Sequence, residues 1–459
     1  AERLKKLSLP PSLAGILQAR IDGLPPNERQ VLQQAAILGR LFWDQALAHL
    51  AQAPLAEVTR LLQTLDGREL VYQQAGSQLR GAKEFIFKHA ALRDVAYESS
   101  LKKTRRQYHA QAAAWLVALP EPEALAGMIA EHYELAGQAH AAIPWLQRAA
   151  ERAARGYANL EAEKFFSRAL ALLEGATTEA VAAMPVMPDQ RWALLLGREA
   201  VRNLSDQRQA QAADLAALEA LAATSPARQA EVALRRTHYY EETGDYAACQ
   251  AAAEQAVAYA QQAGEAELHL RALLRLGVAR QLQGSLEAAE ETLRQALELA
   301  QPPANPSQRA NCLYNLASVR YYLGDCDGAL ALFEDSLHLS RQLADRQAEA
   351  SVLRSLAAAY HDLHRLDQAA QAASQAVEIY HLTGDRSGET QALINQANIL
   401  RALGRFEEAH QAFDQSLALA QEIHSVFSEE LAANNLALLW LDLDQPAQAV
   451  QAAQRAIDL

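Results

Sequence analysis

The side chains with the most chemical potential in this sequence are few. His361-Asp362-x-His364 has helical spacing for a metal, but His364 falls at a turn position of a repeat described below. The two imidazoles should therefore diverge, and no metal site is expected. Cys249, Cys312 and Cys326 form no CxxC pair, which argues against a disulfide framework and a thiolate metal site and fits a reducing, cytoplasmic location. There is no Gly-x-Ser-x-Gly elbow, no HExxH and no GxxxxGK[ST] phosphate loop. No catalytic residue, bound cofactor or enzymatic activity is therefore expected of this chain, and ATP hydrolysis should not occur on it. The densest cationic run, Lys102-Lys103-Arg105-Arg106, suits contact with an acidic neighbour or with solvent.

These residues belong to a chain of 459 residues, half apolar and 21% charged, with a net charge of −13. Such proportions exclude wholesale disorder. No stretch of about 18 uncharged apolar residues exists, so no membrane span is expected. Residues 1–120 carry +6 and the remainder −19, which suggests two parts with different neighbours. The chain opens on Ala1 without a signal-peptide pattern, and reads as a piece of a longer protein.

The elements that position the polar residues follow from a repeat. Turns recur every forty residues at Leu204-Ser205, Gly244-Asp245, Gly284-Ser285, Gly324-Asp325, His364-Arg365, Gly404-Arg405 and Asp444-Gln445. Seven residues before them stand Gly197, Thr237, Gly277, Ala317, Ala357, Ala397 and Ala437. Five after come Cys249, Ala289, Ala329, Ala369, Ala409 and Ala449, with Gln209 departing. Twelve after come Ala216, Ala256, Ala296, Ser336, Ala376, Ser416 and Ala456. Small residues at these offsets mark close crossings of antiparallel helices. Between turns the apolar spacing is helical throughout, as in Leu330, Phe333 and Leu337. Each unit should be a helical hairpin.

The columns Ala317…Tyr321…Gly324-Asp325…Ala329…Ser336 resemble the tetratricopeptide pattern, with helices longer than in its 34-residue form. HEAT repeats share the period but not these columns. Residues 191–459 are assigned to the array, 121–175 to a three-helix head continuing its register through Gly137 and Tyr157, and 176–190 to a linker bearing Pro185 and Pro188. The resemblance implies a groove lined by the first helix of each unit. At its offsets lie Glu231, His238, Glu241 and Glu242, then Arg271 and Gln281, and toward the end Asn434 and Asp442. The middle units contribute Asn311, Tyr314, Ser318, Tyr321 and Tyr322, then Ser351, Arg354, His361 and Asp362, then Gln391, Asn398 and Arg401. Asn311, Tyr314, Ser318, Tyr321, Arg354, His361, Asn398, Arg401 and Asn434 are the candidate partner-binding set, since amides, guanidinium groups and aromatics can grip a peptide backbone or a small polar ligand.

Residues 1–120 follow other rules. A short helix ends near Ile21, and further helices are read over Glu28 to Leu38, Trp43 to Ala51 and Leu55 to Leu65. Two extended runs, Leu70 to Gln73 and Glu84 to Phe87, should form a hairpin around a Gly76 to Gly81 loop. Three helices then a hairpin describe a winged helix. The wording Leu9-Pro10-Pro11-Ser12-Leu13, Leu24-Pro25-Pro26, Ala35 to Phe42, and Phe85-Ile86-Phe87-Lys88-His89 through Tyr97 with Arg105-Arg106…His109 resembles the winged-helix segment of STAND-class signalling ATPases (AAA/NB-ARC-like). Members of that class often end in tetratricopeptide arrays, and their effectors include cyclases, kinases and LuxR-type DNA-binding domains. The resemblance implies that His89 senses the phosphate of an ADP held by an upstream nucleotide-binding domain, with ADP or ATP the parent protein's ligand.

The fold expected is thus all-α, a tetratricopeptide superhelical solenoid headed by a winged helix with a small β-hairpin. The function expected is that of a sensor and autoregulatory arm, taking a protein, peptide or small-molecule inducer in the groove and relaying occupancy through the winged helix, with oligomerisation on activation an option. The alternatives are a transcription regulator whose winged helix binds DNA, and an adaptor scaffold. DNA binding is disfavoured because the recognition helix offers only Arg60 as a cation.

Overall fold

A computed structural model describes residues 11–175, 187–301 and 305–458, and divides the chain into two compact units, residues 1–221 and 222–459. Apart from one small sheet and a short 3-10 turn, the regular structure of the described residues is α-helical. No described helix is long and apolar enough to cross a membrane.

The first unit begins with α1 (Pro11–Asp22) and α2 (Pro26–Leu38), and Pro26 at the first turn of α2 needs no amide partner. Gly39, at φ 133°, ends α2 and lets the chain turn into β1 (Leu41–Trp43). Two helices follow, α3 (Asp44–Ala51) and α4 (Leu55–Gly67), then β2 (Val71–Gln73) and β3 (Glu84–Phe87). The expected hairpin is therefore a three-stranded antiparallel sheet in the order β1-β3-β2, with Phe42 opposite Phe85 and Tyr72 opposite Ile86. Trp43, expected to start a helix, closes the edge strand instead, and its indole Nε1 donates to the buried Glu84 carboxylate at 3.1 Å. Phe42, Phe85 and Phe87 pack together beneath it.

Helices α5 (Ala90–Glu98), α6 (Lys102–Val117), α7 (Ala126–Ala136), α8 (Ala139–Arg155) and α9 (Asn159–Gly175) complete the run to residue 175. Of the linker expected over 176–190, residues 176–186 lie outside the described residues, and the next helix, α10 (Met187–Leu204), already includes its last four. In the hairpin of α10 with α11 (Arg208–Ala222), the turn register is corrected by two residues. The left-handed turn residue is Asp206 (φ 53°), Leu218 is buried, and Ala216, assigned to the crossing column, is exposed. Gly197 nevertheless marks a close approach, since a Cβ there would meet the Phe166 ring at 2.4 Å.

The second unit stacks six hairpins: α12 (Pro226–Glu242) with α13 (Tyr246–Ala263), α14 (Ala266–Leu282) with α15 (Leu286–Leu299), α16 (Pro306–Tyr322) with α17 (Cys326–Gln342), α18 (Arg346–Asp362) with α19 (Leu366–Thr383), α20 (Arg386–Ala402) with α21 (Phe406–Glu422), and α22 (Val426–Asp442) with α23 (Pro446–Asp458). Asp245, Asp325, Asp345 and Asp385 start their helices by accepting a backbone N–H three residues on, at 2.9–3.0 Å. Gly244, Gly284, Gly324 and Gly404 take the left-handed turn position at no steric cost, while His364 and Asp444 adopt it as non-glycines. All three small-residue columns are buried here, with Ala317, Ala357, Ala329, Ala369 and Ala376 at 0% exposure. They let facing helices approach closely, and Phe333, Leu353 and Leu356 fill the space between.

Candidate functional site

The first helices of the second unit, α12, α14, α16, α18, α20 and α22, adjoin one another in sequence order and form a continuous polar face. Its head and its middle differ in how their charges are met. On α12 and α14 every prominent charge has a partner. Glu231 binds Arg235 at 3.1 Å and Arg271 at 3.2 Å. Glu241 accepts from Arg275 at 2.6 Å and contacts His238 at 3.4 Å. The His238 hydrogen bond, with Arg275 assisting, holds the Glu241 carboxyl below its ordinary value.

The middle of the face is open. One recess between α14, α16 and α18 is lined by Gln281, Tyr314, Ser318, Tyr321, Tyr322, Arg354 and Asn395 among others. A second, sharing Ala358 and Asn395 with the first, is lined by His361, Asp362, Asn398, Arg401 and Asn435. Each holds about 250–270 Å³, below the ~300–1,000 Å³ of cavities that enclose a small molecule. Tyr321 donates to Asp362 at 2.5 Å across α16 and α18, and burial followed by this bond pushes its phenol pKa up. Tyr314 meets Ser355 at 3.3 Å, and Arg401 faces Asp442 at 3.5 Å.

Two side chains in these recesses are left unmet. Arg354 Nε and Asn398 Oδ1 are shielded from solvent, and neither finds a hydrogen-bond partner. Arg354 forms no ion pair or hydrogen bond with any described residue. Buried polar atoms are nearly always paired, so these two ask what satisfies them.

Of the residues singled out in the sequence, the structure brings Tyr314, Ser318, Tyr321 and Arg354 into the first recess and His361, Asn398 and Arg401 into the second. Asn311 and Asn434 lie exposed beside them and line neither. A column nine residues before the turn lies outside the expected groove offsets. It reads Arg235, Arg275, Asn315, Ser355, Asn395 and Asn435, polar in all six hairpins of the second unit though Leu195 stands there in the preceding one, and supplies lining residues to both recesses. That polarity through six successive hairpins is legible in the sequence.

In the first unit, His89 sits at the N-cap of α5 with extended backbone and exposed side chain, and caps through its carbonyl alone. Arg105 pairs with Glu98 at 2.8 Å and stacks over Tyr97 at 4.7 Å, leaving Lys102, Lys103 and Arg106 exposed. Tyr97 also reaches His109 Nε2 at 3.0 Å, and the Nδ1 atoms of His109 and His132 lie 2.8 Å apart. Burial, with the neighbouring histidine and arginines, lowers the His109 pKa to about 3, and burial lowers His132 to about 4, so both imidazoles are neutral near neutrality. In the sequence His109 stands out only within the Arg105-Arg106…His109 motif, which carries no sign of its pairing with His132. Burial raises the Cys249 thiol to about 11 and Cys312 to about 12, as expected of packed, unreactive thiols. Among the described residues no group of three or more His, Cys, Asp or Glu is placed to hold a metal ion.

Residues 270–302, 308–380 and 390–423 each match tetratricopeptide repeat models. These are tetratricopeptide repeats. No curated protein is matched by sequence. Among solved structures, 98% of the chain aligns with 66% of a signal transduction ATPase with numerous domains (STAND) protein with a tetratricopeptide repeat sensor from Pyrococcus horikoshii, at TM-score 0.57 and 11% identity. At that identity the likeness is one of fold. RapI in its apo form aligns over 58% of the chain and 96% of its own, at 11% identity and TM-score 0.49. Aspartyl phosphate phosphatase F from Bacillus subtilis aligns over 69% and 93%, at 12% identity and TM-score 0.44.

Proposed function

We propose that this chain is the sensor arm of a signalling ATPase of the STAND class, and that its tetratricopeptide face binds an extended segment of a protein or peptide partner. The observation that carries the reading is the pair of unmet groups, Arg354 Nε and Asn398 Oδ1, in adjoining recesses of the array's middle units. Solvent-shielded donors and acceptors without partners cost free energy that an incoming backbone or side chain recovers. The fold likeness to a STAND protein with such a sensor, over nearly the whole chain, supports the placement.

In this reading the first unit's helix–helix–strand order is a winged helix, and it relays occupancy of the array to a nucleotide-binding domain elsewhere in the parent protein. His89, exposed where β3 passes into α5, is the side chain free to reach a nucleotide phosphate held by that domain. It is one imidazole without a phosphate loop beside it, so this chain by itself neither holds ATP tightly nor hydrolyses it. Its own part is binding and relay. The outer face of α4 offers Arg60 beside Glu57, too little positive charge for a DNA footprint.

The test is photocrosslinking in the native host, with a photoreactive residue replacing Ser318 or, on the exposed outer surface of α15, Glu298. Crosslinks should form from the Ser318 position and disappear when Arg354→Ala and Asn398→Ala are added. Equal crosslinking from Glu298, unaffected by those changes, would move the partner off the groove.

A further inference from the structure

The two recesses differ in charge, and the difference specifies what the first one takes. Its lining contains no Asp or Glu, and its one cation is Arg354. This stands out in a chain of net charge −13. Elsewhere on the same face Arg271, Arg275 and Arg401 each face a carboxylate of the chain, at 3.2, 2.6 and 3.5 Å. Arg354 has none among the described residues, although its Nε is shielded from water. A partly desolvated guanidinium without a counter-charge is costly, and a planar carboxylate satisfies it with two parallel hydrogen bonds. The walls around it are the rings of Tyr314, Tyr321, Tyr322 and Phe333 with Leu282, which favour an apolar or aromatic group beside that carboxylate. Asn395, shared by the two recesses, and Asn398 next along place amides where a peptide backbone would run.

We infer that the recess at Arg354 selects a carboxylate flanked by an apolar or aromatic residue, carried by an extended peptide whose backbone continues over Asn395 and Asn398. This rests on the groove reading above and adds the ligand's chemistry to it. The carboxylate comes either from an Asp or Glu side chain or from a peptide C-terminus, and guanidinium recognition is common to both.

The experiment passes a mixture of short random peptides, acetylated at the N-terminus, over the immobilised full chain. One half of the mixture is amidated and the other half carries a free C-terminal carboxylate. Wild-type protein should retain a pool enriched about tenfold in carboxylate-bearing peptides, equivalent to about 1.4 kcal/mol of preference. Arg354→Gln should abolish the enrichment, Arg354→Lys should weaken it by losing the planar fork, and Asn395→Ala should lower retention of every peptide. Enrichment within the amidated half assigns the carboxylate to a side chain, and enrichment confined to the free half assigns it to the terminus. Groove-dependent retention without a carboxylate preference, or a preference that survives Arg354→Gln, overturns this inference and leaves the groove reading standing. Retention that none of the groove substitutions alters overturns both. Circular-dichroism melts of the same variants should show no loss of stability against wild type, because among the described residues Arg354 has no hydrogen-bond or ion-pair partner to lose.

Discussion

The head and the middle of the tetratricopeptide face are built on one scaffold and use it differently. Glu231, Arg235, Arg271, Arg275, His238 and Glu241 on α12 and α14 satisfy one another. On α18 and α20, Arg354 Nε and Asn398 Oδ1 find no hydrogen-bond partner among the described residues. Both regions keep buried small-residue columns, so the packing that positions the polar residues is common to them. The contrast teaches that a polar residue on a repeat's inner face becomes a candidate for binding when its neighbours one unit away leave it unmet, and that polarity alone does not distinguish the two cases.

The largest effect expected from a closed polar pair lies in the first unit, where His109 and His132 satisfy each other and Tyr97 out of solvent. Their folded pKa values, about 3 and about 4, lie below the ordinary 6.5, so the unfolded chain binds more protons below that value. Stability should therefore be full above it and fall as the pH drops toward 4. Each imidazole contributes on the order of 2 kcal/mol between pH 7 and pH 5. Urea unfolding of the first unit followed through Trp43 and Trp115 measures this, and a flat pH profile would show that the pair is open to solvent.

Next come the crossing columns, which test whether the two regions share a scaffold. Gly277→Ala in the head, where the new Cβ meets Leu293 at 2.5 Å, and Ala357→Leu in the middle should each lower stability by about 1–3 kcal/mol. Thermal melts showing a loss in only one region would break the premise of a common frame.

The smallest effects separate the regions. Arg275→Ala removes a partly exposed ion pair and should cost no more than about 1 kcal/mol. That loss should shrink as the pH falls through the lowered pKa of Glu241, because protonation removes the charge that Arg275 meets. Arg354→Ala should lower stability by no more than about 0.5 kcal/mol at any pH. If Arg354→Ala destabilises more than Arg275→Ala, the guanidinium has a structural partner and the contrast fails.

Much of the frame was legible in the sequence because a forty-residue period repeats its small residues and turn residues. The register slipped by two in the first hairpin because Asp206 carries the left-handed turn there in place of glycine, and Gly197, small for the sake of Phe166, imitated the column. Strand β1 went unread since three residues are too few to show a period, and its partner β3 lies more than forty positions away. Within the site, residue types on the first helices could be read, but pairing could not. Whether Arg275 or Arg354 is free depends on what stands on the neighbouring helix, as Glu241 does for Arg275. The column through Asn315, Ser355, Asn395 and Asn435 is legible, because its residues stay polar at one offset from each turn.

The most direct measurement of the contrast compares two double variants of the full chain, Arg354→Ala/Asn398→Ala and Glu241→Gln/Arg275→Ala, for affinity toward the partner captured at the Ser318 position. The first should weaken binding by about tenfold to a hundredfold with an unchanged melting curve, as loss of hydrogen bonds to a charged group does. The second should bind normally and melt slightly earlier. Weakened binding in the head variant together with normal binding in the middle variant would contradict the assignment of the site.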